Sequence, residues 1–213
     1  MKLLAVTELA LPGVKVIRLG RYRDERGYFT ELWRRAALRE RPELSFLREV
    51  EFLQANESFS RPGTVRGLHF QWDPPLGKLV RTVAGRMLDL VLDIRKGSPT
   101  FGRALAYAMP ADPEADYQEW IWVPPGFAHG NCFAVPTQIE YLCSGAYNPQ
   151  CEAGISPFAA DVDWSLCDPE LKAELDGFGA ELALMSEKDR RGFTLAQWAS
   201  DPRSQSFVWR RGG

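Results

Sequence analysis

The sequence predicts an all-β fold, an antiparallel sandwich or barrel, on three observations. Short apolar or alternating runs recur at roughly ten-residue spacing through most of the chain. Turn residues, chiefly glycine and proline, separate them. Helix-compatible spacing is confined to a short stretch before Pro42 and a segment after Asp168. At 213 residues the chain can hold one domain with a substantial core and a C-terminal extension.

The elements follow in order. Residues 14–19 alternate imperfectly, as a half-buried strand does. Asp24-Glu25-Arg26-Gly27 is a turn, and 28–33 resumes a strand. A short helix fits 36–41, ended by Pro42. Residues 78–84 and 87–94 read as two strands joined through a glycine turn at Gly85-Arg86. Further strands fit 102–109, 120–123 and 139–144. Residues 168–184 place Glu, Leu, Lys and Ala at helical spacing behind Pro169, which predicts a helical or loop appendage. The polar, arginine-containing stretch 200–213 is expected to pack loosely. The chain therefore divides into a barrel over 1–166 and an extension over 167–213 that packs on it. There is no internal repeat and no low-complexity block.

A hydrophobic content of 45% with 25% charged residues is ordinary for a globular protein. A net charge of -2 and a pI near 5.8 argue against nucleic acid as the main partner, while leaving room for a local basic cluster around a phosphorylated ligand. No run approaches the ~18–20 apolar residues of a membrane span, so no membrane partner is expected. Glu8 arrives too early for a signal-peptide core. Cys132, Cys143, Cys151 and Cys167 show neither Cys-x-x-Cys spacing nor zinc-like pairing with histidine. They read as reduced thiols of a cytoplasmic protein.

Only two histidines are present, His69 and His129, both in glycine- and aromatic-rich surroundings. Imidazole is the usual proton carrier near neutral pH, so these are the candidate general bases. If His69 points into a barrel, strand alternation puts Gly67 and Gln71 on its face. Lys78 and Arg81 then fall on opposite faces of their own strand. Lys78 either enters the same cavity or sits on a solvated rim. Pro124-Pro125-Gly126-Phe127-Ala128-His129-Gly130-Asn131 resembles the second motif of cupin barrels. Metal-binding members of that superfamily carry a His-x-His pair in the first motif. Here that place reads His69-Phe70-Gln71, one imidazole short of the usual three protein ligands, so no metal is expected.

Six segments occur in order: Asp24-Glu25-Arg26-Gly27-Tyr28-Phe29, Gln54-Ala55-Asn56, Arg66-Gly67-Leu68-His69-Phe70-Gln71, Gly77-Lys78-Leu79-Val80-Arg81, the run from Asp93 to Gly102, and Pro124 to Gly130. Together they closely resemble the dTDP-4-dehydrorhamnose 3,5-epimerase family over about residues 10–165, with a further match near Asp189. The resemblance implies a cupin-like jelly roll, a homodimer formed through the barrel sheets, and no metal or other cofactor. It also implies the reaction, inversion at C3 and C5 of dTDP-4-keto-6-deoxy-glucose by proton abstraction next to the C4 ketone. Such chemistry needs a base, a donor at the developing oxyanion and an opposing acid.

By resemblance His69 is the base, and Asp189, in Ser186-Glu187-Lys188-Asp189, is its partner. Lys78 stabilises the enolate at O4. The acid is Tyr141 if the strand aligns without a gap; a competing alignment lands on Cys143 and leaves the acid missing. Arg26 and Arg66 would hold the diphosphate. Gln54, Asn56, His129 and Tyr147 would bind the substrate, with Phe29 and Glu31 on a segment, 24–31, that reaches the partner's site. Four departures from the family pattern stand out: Pro125 for a glutamate, Leu142 for a lysine, Phe193 for a proline, and a longer segment between Trp164 and Asp189. The alternatives are a mono-epimerase acting at C3 or C5 alone and a non-catalytic sugar-nucleotide-binding jelly roll.

Overall fold

Strands dominate because the apolar runs are short and separated by turns, and the computed structural model, which describes residues 1–209, forms them into two antiparallel sheets. The chain begins with β1 (Leu3–Glu8), β2 (Lys15–Gly20), β3 (Tyr22–Asp24) and β4 (Gly27–Phe29). Then come α1 (Arg35–Glu40) and a 3-10 turn over Pro42–Leu47. The barrel strands are β5 (Gln54–Ser60), β6 (Thr64–Gln71), β7 (Lys78–Ala84), β8 (Arg86–Asp93), β9 (Ala104–Pro110), β10 (Tyr117–Val123), β11 (Phe127–Phe133), β12 (Thr137–Cys143) and β13 (Glu152–Gly154). The C-terminal layer holds α2 (Pro169–Phe178), α3 (Glu187–Arg190), α4 (Leu195–Ser200) and a 3-10 turn over Pro202–Ser206.

The six-stranded sheet runs β1-β2-β10-β7-β12-β5 and the five-stranded sheet runs β13-β6-β11-β8-β9. From β5 to β8 each strand joins the opposite sheet from the one before it, as in a jelly roll. The two strands and the glycine turn expected around Gly85 are present, but the turn does not close a hairpin. β7 and β8 do not pair, and the turn carries the chain from one sheet to the other. Gly85 has φ +82°, and a Cβ there would lie 2.3 Å from the Pro136 carbonyl oxygen.

Alternation sorts the side chains into three cores. Between the sheets lie Val80, Met87, Val91, Ile121, Val123, Phe127, Phe133 and Ile139. On the outer face of the five-stranded sheet, Leu68, Phe70, Leu88, Leu90 and Leu92 pack under Leu175, Leu195, Trp198 and Phe207. On the outer face of the six-stranded sheet, Ile17, Leu79, Trp120 and Trp122 pack under Leu38, Leu44 and Leu47. β8 is covered on both faces, which is why its sequence is an almost unbroken apolar run.

Two expectations need correction. The strand expected over 28–33 stops at Phe29. Leu32 and Trp33 turn aside to cover the apolar outer face, with the Trp33 ring edge-on to Phe52 at 4.9 Å. Burial of two large side chains outweighs continued pairing in a two-stranded ribbon. The C-terminus does not pack loosely as far as it is described. Phe207 is buried against Trp198 and Phe70, and Arg95 stacks on Trp209 at 4.4 Å. The rest of that expectation, over 210–213, lies outside the described residues. No described helix is long and apolar enough to cross a membrane.

Trp198 is fully buried among Phe70, Trp72, Phe193 and Phe207. Trp198→Ala is expected to cost about 3–5 kcal/mol in urea unfolding, by lost transfer energy and a residual cavity. A cost under about 1 kcal/mol would mean the C-terminal layer is not part of the cooperative core.

Candidate active site

The site lies between the sheets and is built mainly from inward-facing residues of β5, β6, β7, β11 and β12, with Val123 of β10 and Glu152 of β13 at its wall. β12 turns Tyr141 and Cys143 inward and Leu142 outward. β7 turns Lys78 inward, while Arg81 pairs with Glu140 and lies over Trp120 outside. β11 turns His129 and Asn131 inward, and β5 turns Gln54, Asn56 and Ser58 inward.

β6 breaks its own alternation. Arg66 and His69 both face the site although they are three positions apart. The pairing explains this: His69 is opposite His129 and Arg66 is opposite Asn131, so β6 carries one residue more than β11 between them. The extra residue is accommodated at Gly67, which has φ +104° and whose Cβ would meet Gly130 Cα at 2.7 Å. The expectation that Gly67 shares the face of His69 gives way to this bulge; Gln71 does share it.

Two adjoining recesses of about 250 and 260 Å³ meet at His69, Lys78, His129 and Tyr141, which line both. The first is lined by neutral hydrogen-bonding groups, Gln54, Asn56 and Gln71, together with Tyr147, Glu152 and Cys143. The second carries Arg66, Lys188, Ser58 and Ser186, with Asp189 at its wall. His69, Asp189, Lys78, Tyr141, Gln54, Asn56, Arg66, His129 and Tyr147 thus lie in one place. Arg26, Phe29 and Glu31 line neither recess of their own chain. Arg26 is exposed and pairs with Asp24 at 2.6 Å, Phe29 is exposed, and Glu31 accepts from Arg34 at 3.1 Å and from the N-terminal ammonium.

His69 Nε2 lies 2.5 Å from Asp189 Oδ1. The second carboxylate oxygen accepts from Ser186 Oγ at 2.8 Å, and that hydroxyl in turn accepts from the Asp189 amide as the N-cap of α3. Burial works to raise the Asp189 carboxyl, but the His69 bond and charge, Ser186 and the Gly67 amide outweigh it and hold it below the ordinary aspartate value. His129 Nε2 is similarly held by Asp89 Oδ1 at 2.7 Å, where Asn131 also donates at 2.8 Å. Burial depresses the Lys78 ammonium, opposed by Cys143, Glu152 and Asp89. Burial also pushes the Tyr141 phenol and the Cys143 thiol up, so both carry their protons at neutral pH. Asn56 Nδ2 faces Cys143 Sγ at 3.7 Å. Among the described residues no group of three or more His, Cys, Asp or Glu is placed to hold a metal ion.

Sequence reasoning left out Glu152, Lys188, Asp89 and Asn131. Glu152 accepts from Tyr147 Oη at 2.7 Å and from Lys188, tying the rims of the two recesses together. Asp89 had a signal, a lone charge inside a buried apolar run. Glu152 had none, because its three-residue strand has no period to read.

A sequence profile of the dTDP-4-dehydrorhamnose 3,5-epimerase family matches residues 8–197. The chain belongs to that family. It is 36% identical to the dTDP-4-dehydrorhamnose 3,5-epimerase of Neisseria gonorrhoeae over 90% of its own length, and spans about half of that protein, 53%. To the enzyme of the same name from Pseudomonas aeruginosa it is 35% identical, covering 89% of this chain and 95% of that one. The dTDP-6-deoxy-D-glucose-3,5-epimerase of Legionella pneumophila, solved with dTDP-4-keto-L-rhamnose, superposes with a TM-score of 0.78 at 29% identity, covering 98% of this chain and 99% of the other.

Three of the four departures from the family pattern fall outside the lining of the recesses, while the longer segment between Trp164 and Asp189 ends in the wall of the second. Leu142 packs in the outer core, and Pro125 sits exposed in the turn before β11. Phe193 packs on Trp198 and donates its amide to Gly154 at 2.8 Å.

A carboxyl held low in the folded state favours folding above the unfolded value of about 4, and that contribution fades as pH falls through the lowered folded value. Asp189→Asn should therefore cost roughly 1–3 kcal/mol of stability at pH 6 in urea titrations, with a gap to wild type that narrows toward pH 3. A gap independent of pH would show that the charge of Asp189 is not what the fold uses.

Proposed function

We propose that the chain is an epimerase that inverts C3 and C5 of dTDP-4-keto-6-deoxy-glucose. One observation carries the reading. The candidate base and the candidate acid stand on opposite walls, His69 on β6 of the five-stranded sheet and Tyr141 on β12 of the six-stranded sheet. Inversion requires a proton to leave one face of a ring carbon and return to the other, so base and acid must face each other across the substrate.

The steps follow from the chemistry of the groups. The ring nitrogen of His69 that Asp189 does not hold takes the proton from the carbon beside the ketone. The electron pair of that C–H bond moves into the ring and onto O4, giving an enolate. Asp189 fixes the imidazole and stabilises its charged form. Lys78 faces the developing oxyanion, where a buried cation acts most strongly. Tyr141 then gives its phenolic proton to the opposite face of the carbon, and the enolate returns to the ketone. No electrons leave the substrate, so the reaction needs no redox partner.

The charge of the second recess suits a diphosphate, with Arg66 and Lys188 as donors. Gln54, Asn56 and Tyr147 supply hydrogen bonds and a ring for the rest of the nucleotide, and His129 a polar contact. Arg26, Phe29 and Glu31 serve the site of a second copy in a homodimer. The exposure of Arg26 and Phe29, on a hairpin apart from both main sheets, supports that reading; Glu31 follows the hairpin and is half-buried. We read the protein as cytoplasmic, with its four free cysteines suited to a reducing compartment.

Deuterium uptake from D2O into dTDP-4-keto-6-deoxy-glucose, followed by NMR, tests the reading, and uptake at both C3 and C5 is expected. Uptake at a single carbon would instead make the protein a mono-epimerase. His69→Asn should lower exchange by a factor of about 100–10,000 while dTDP still binds. Lys78→Met should lower turnover by about 100–1,000. Tyr141→Phe should slow net epimerisation more than Cys143→Ala does; the reverse order would take the acid role from Tyr141 and favour the other alignment.

A further inference from the structure

The β3–β4 hairpin belongs to neither main sheet, yet its base is fastened by two guanidinium groups. Arg21, just before β3, is only 5% exposed. Its Nη1 donates to the carbonyls of Asp112 at 2.6 Å and Ala115 at 2.7 Å, and its Nη2 to Gln118 Oε1 at 3.3 Å. Its backbone amide donates to the Asp116 carbonyl at 3.0 Å. Arg23 reaches the same loop: Nη2 donates to the carbonyls of Pro113 and Ala115, both at 2.6 Å, and Nε to Asp116 Oδ1 at 2.9 Å. The ring of Tyr28, opposite Arg23 in the hairpin, lies 3.9 Å from the Arg21 guanidinium carbon and 5.6 Å from that of Arg23.

The tip has no such fastening. Arg26 is bound only to Asp24, within its own turn, and an exposed pair of this kind is worth about 1 kcal/mol or less. An isolated two-stranded hairpin is marginal in water, so its direction is set where it is held. A tilt of about 15° at the base of a strand roughly 10 Å long moves its tip by about 2–3 Å, enough to break a hydrogen bond. A guanidinium bridging several carbonyls under an aromatic ring resists such a tilt in a way a lysine cannot, because its planar fork fixes several directions at once.

We propose that Arg21, Arg23 and Tyr28 are positioning residues that pre-aim Arg26, at the hairpin tip, at the nucleotide site of a second copy of this chain. The inference rests on the reading that segment 24–31 reaches the partner's site. A tip aimed before binding loses less freedom on binding, so the clasp acts on nucleotide affinity and leaves the proton-transfer groups untouched.

The test is dTDP affinity by calorimetry together with kcat and KM, in a cycle of Arg21→Lys and Arg26→Ala. Arg21→Lys should raise Kd for dTDP and KM about tenfold, change kcat less than about twofold, and leave the oligomeric state by light scattering unaltered. In the Arg26→Ala background the same change should add less than about twofold. Tyr28→Leu, on the exposed hairpin, should repeat the affinity loss if Arg21→Lys folds poorly. Wild-type affinity in both Arg21→Lys and Tyr28→Leu overturns the inference and leaves the arm reading standing. An undiminished effect of Arg21→Lys on top of Arg26→Ala also overturns it, since the loss would not run through the tip. If Arg26→Ala itself leaves dTDP affinity unchanged, the arm reading fails and this inference falls with it.

Discussion

The bond between His69 and Asp189 joins two layers that the chain makes far apart in sequence, and the site depends on it. His69 sits on a barrel strand, while Asp189 arrives on a short helix of the C-terminal layer. A four-residue helix cannot hold a buried carboxylate in place by itself. Its neighbours do so. The Leu184 amide donates to the Gly63 carbonyl, and the Val65 amide to the Leu184 carbonyl, so the strap ahead of α3 is stitched to the start of β6. Arg190 donates to the carbonyls of Ala180 and Ala183. Behind α3, Trp198 and Phe207 fill the outer face of the five-stranded sheet. Packing remote from any substrate therefore fixes the charge beside the candidate base, and the buried carboxylate is tolerated because imidazole, hydroxyl and amide all meet it.

The other requirement is that opposed chemistry come from opposed walls. Sheet alternation supplies this for Lys78, Tyr141 and Cys143 on one wall and for His129 and Asn131 on the other. It would have failed for β6 without the bulge at Gly67. Regular alternation would turn Arg66 away from the cavity that His69 faces. One inserted residue, admitted because a Cβ at Gly67 would lie 2.7 Å from Gly130 Cα and neither residue carries one, brings a phosphate-type donor and an imidazole to the same side. The glycine thus acts on function through parity rather than through contact.

Much of this was legible in the sequence, and the limits have physical causes. The strand runs, the helix before Pro42 and the placing of Lys78 and Arg81 on opposite faces follow from local period and turn chemistry, whereas which of the two faces inward lay in the motif resemblance. Which sheet a strand joins does not, because a glycine turn can close a hairpin or carry the chain across the sandwich. Gly85 does the second, with Pro136 and Thr137 packed at its back. The strand expected to run on to Trp33 ends early because Leu32 and Trp33 have an uncovered apolar sheet to fill, a tertiary demand that period cannot express. The pairing of His69 with Asp189 lay in the motif resemblance, whereas Glu152 and the Asp89–His129–Asn131 cluster needed the register. The expected loose tail failed at Phe207, whose burial depends on Trp198 being there to receive it.

On the proposed reading, whether one centre or two are inverted depends less on which groups are present than on how firmly the ring is held. C3 and C5 flank the same ketone, so one base, one acid and one oxyanion donor can serve both if the ring can present each carbon in turn. The altered residue beside Tyr141 does not bear on this, since Leu142 packs on the far side of the sheet. On that reading the ring is constrained by the nucleotide at its other end, which Arg66 and Lys188 of one chain and the hairpin tip of the next would grip. A diphosphate held from both sides leaves the sugar only the freedom of its own linkage, whereas one held from a single side lets it swing. Regiochemistry then becomes a property of the assembled pair of subunits, set as much by the aim of an exposed hairpin as by the residues that exchange protons.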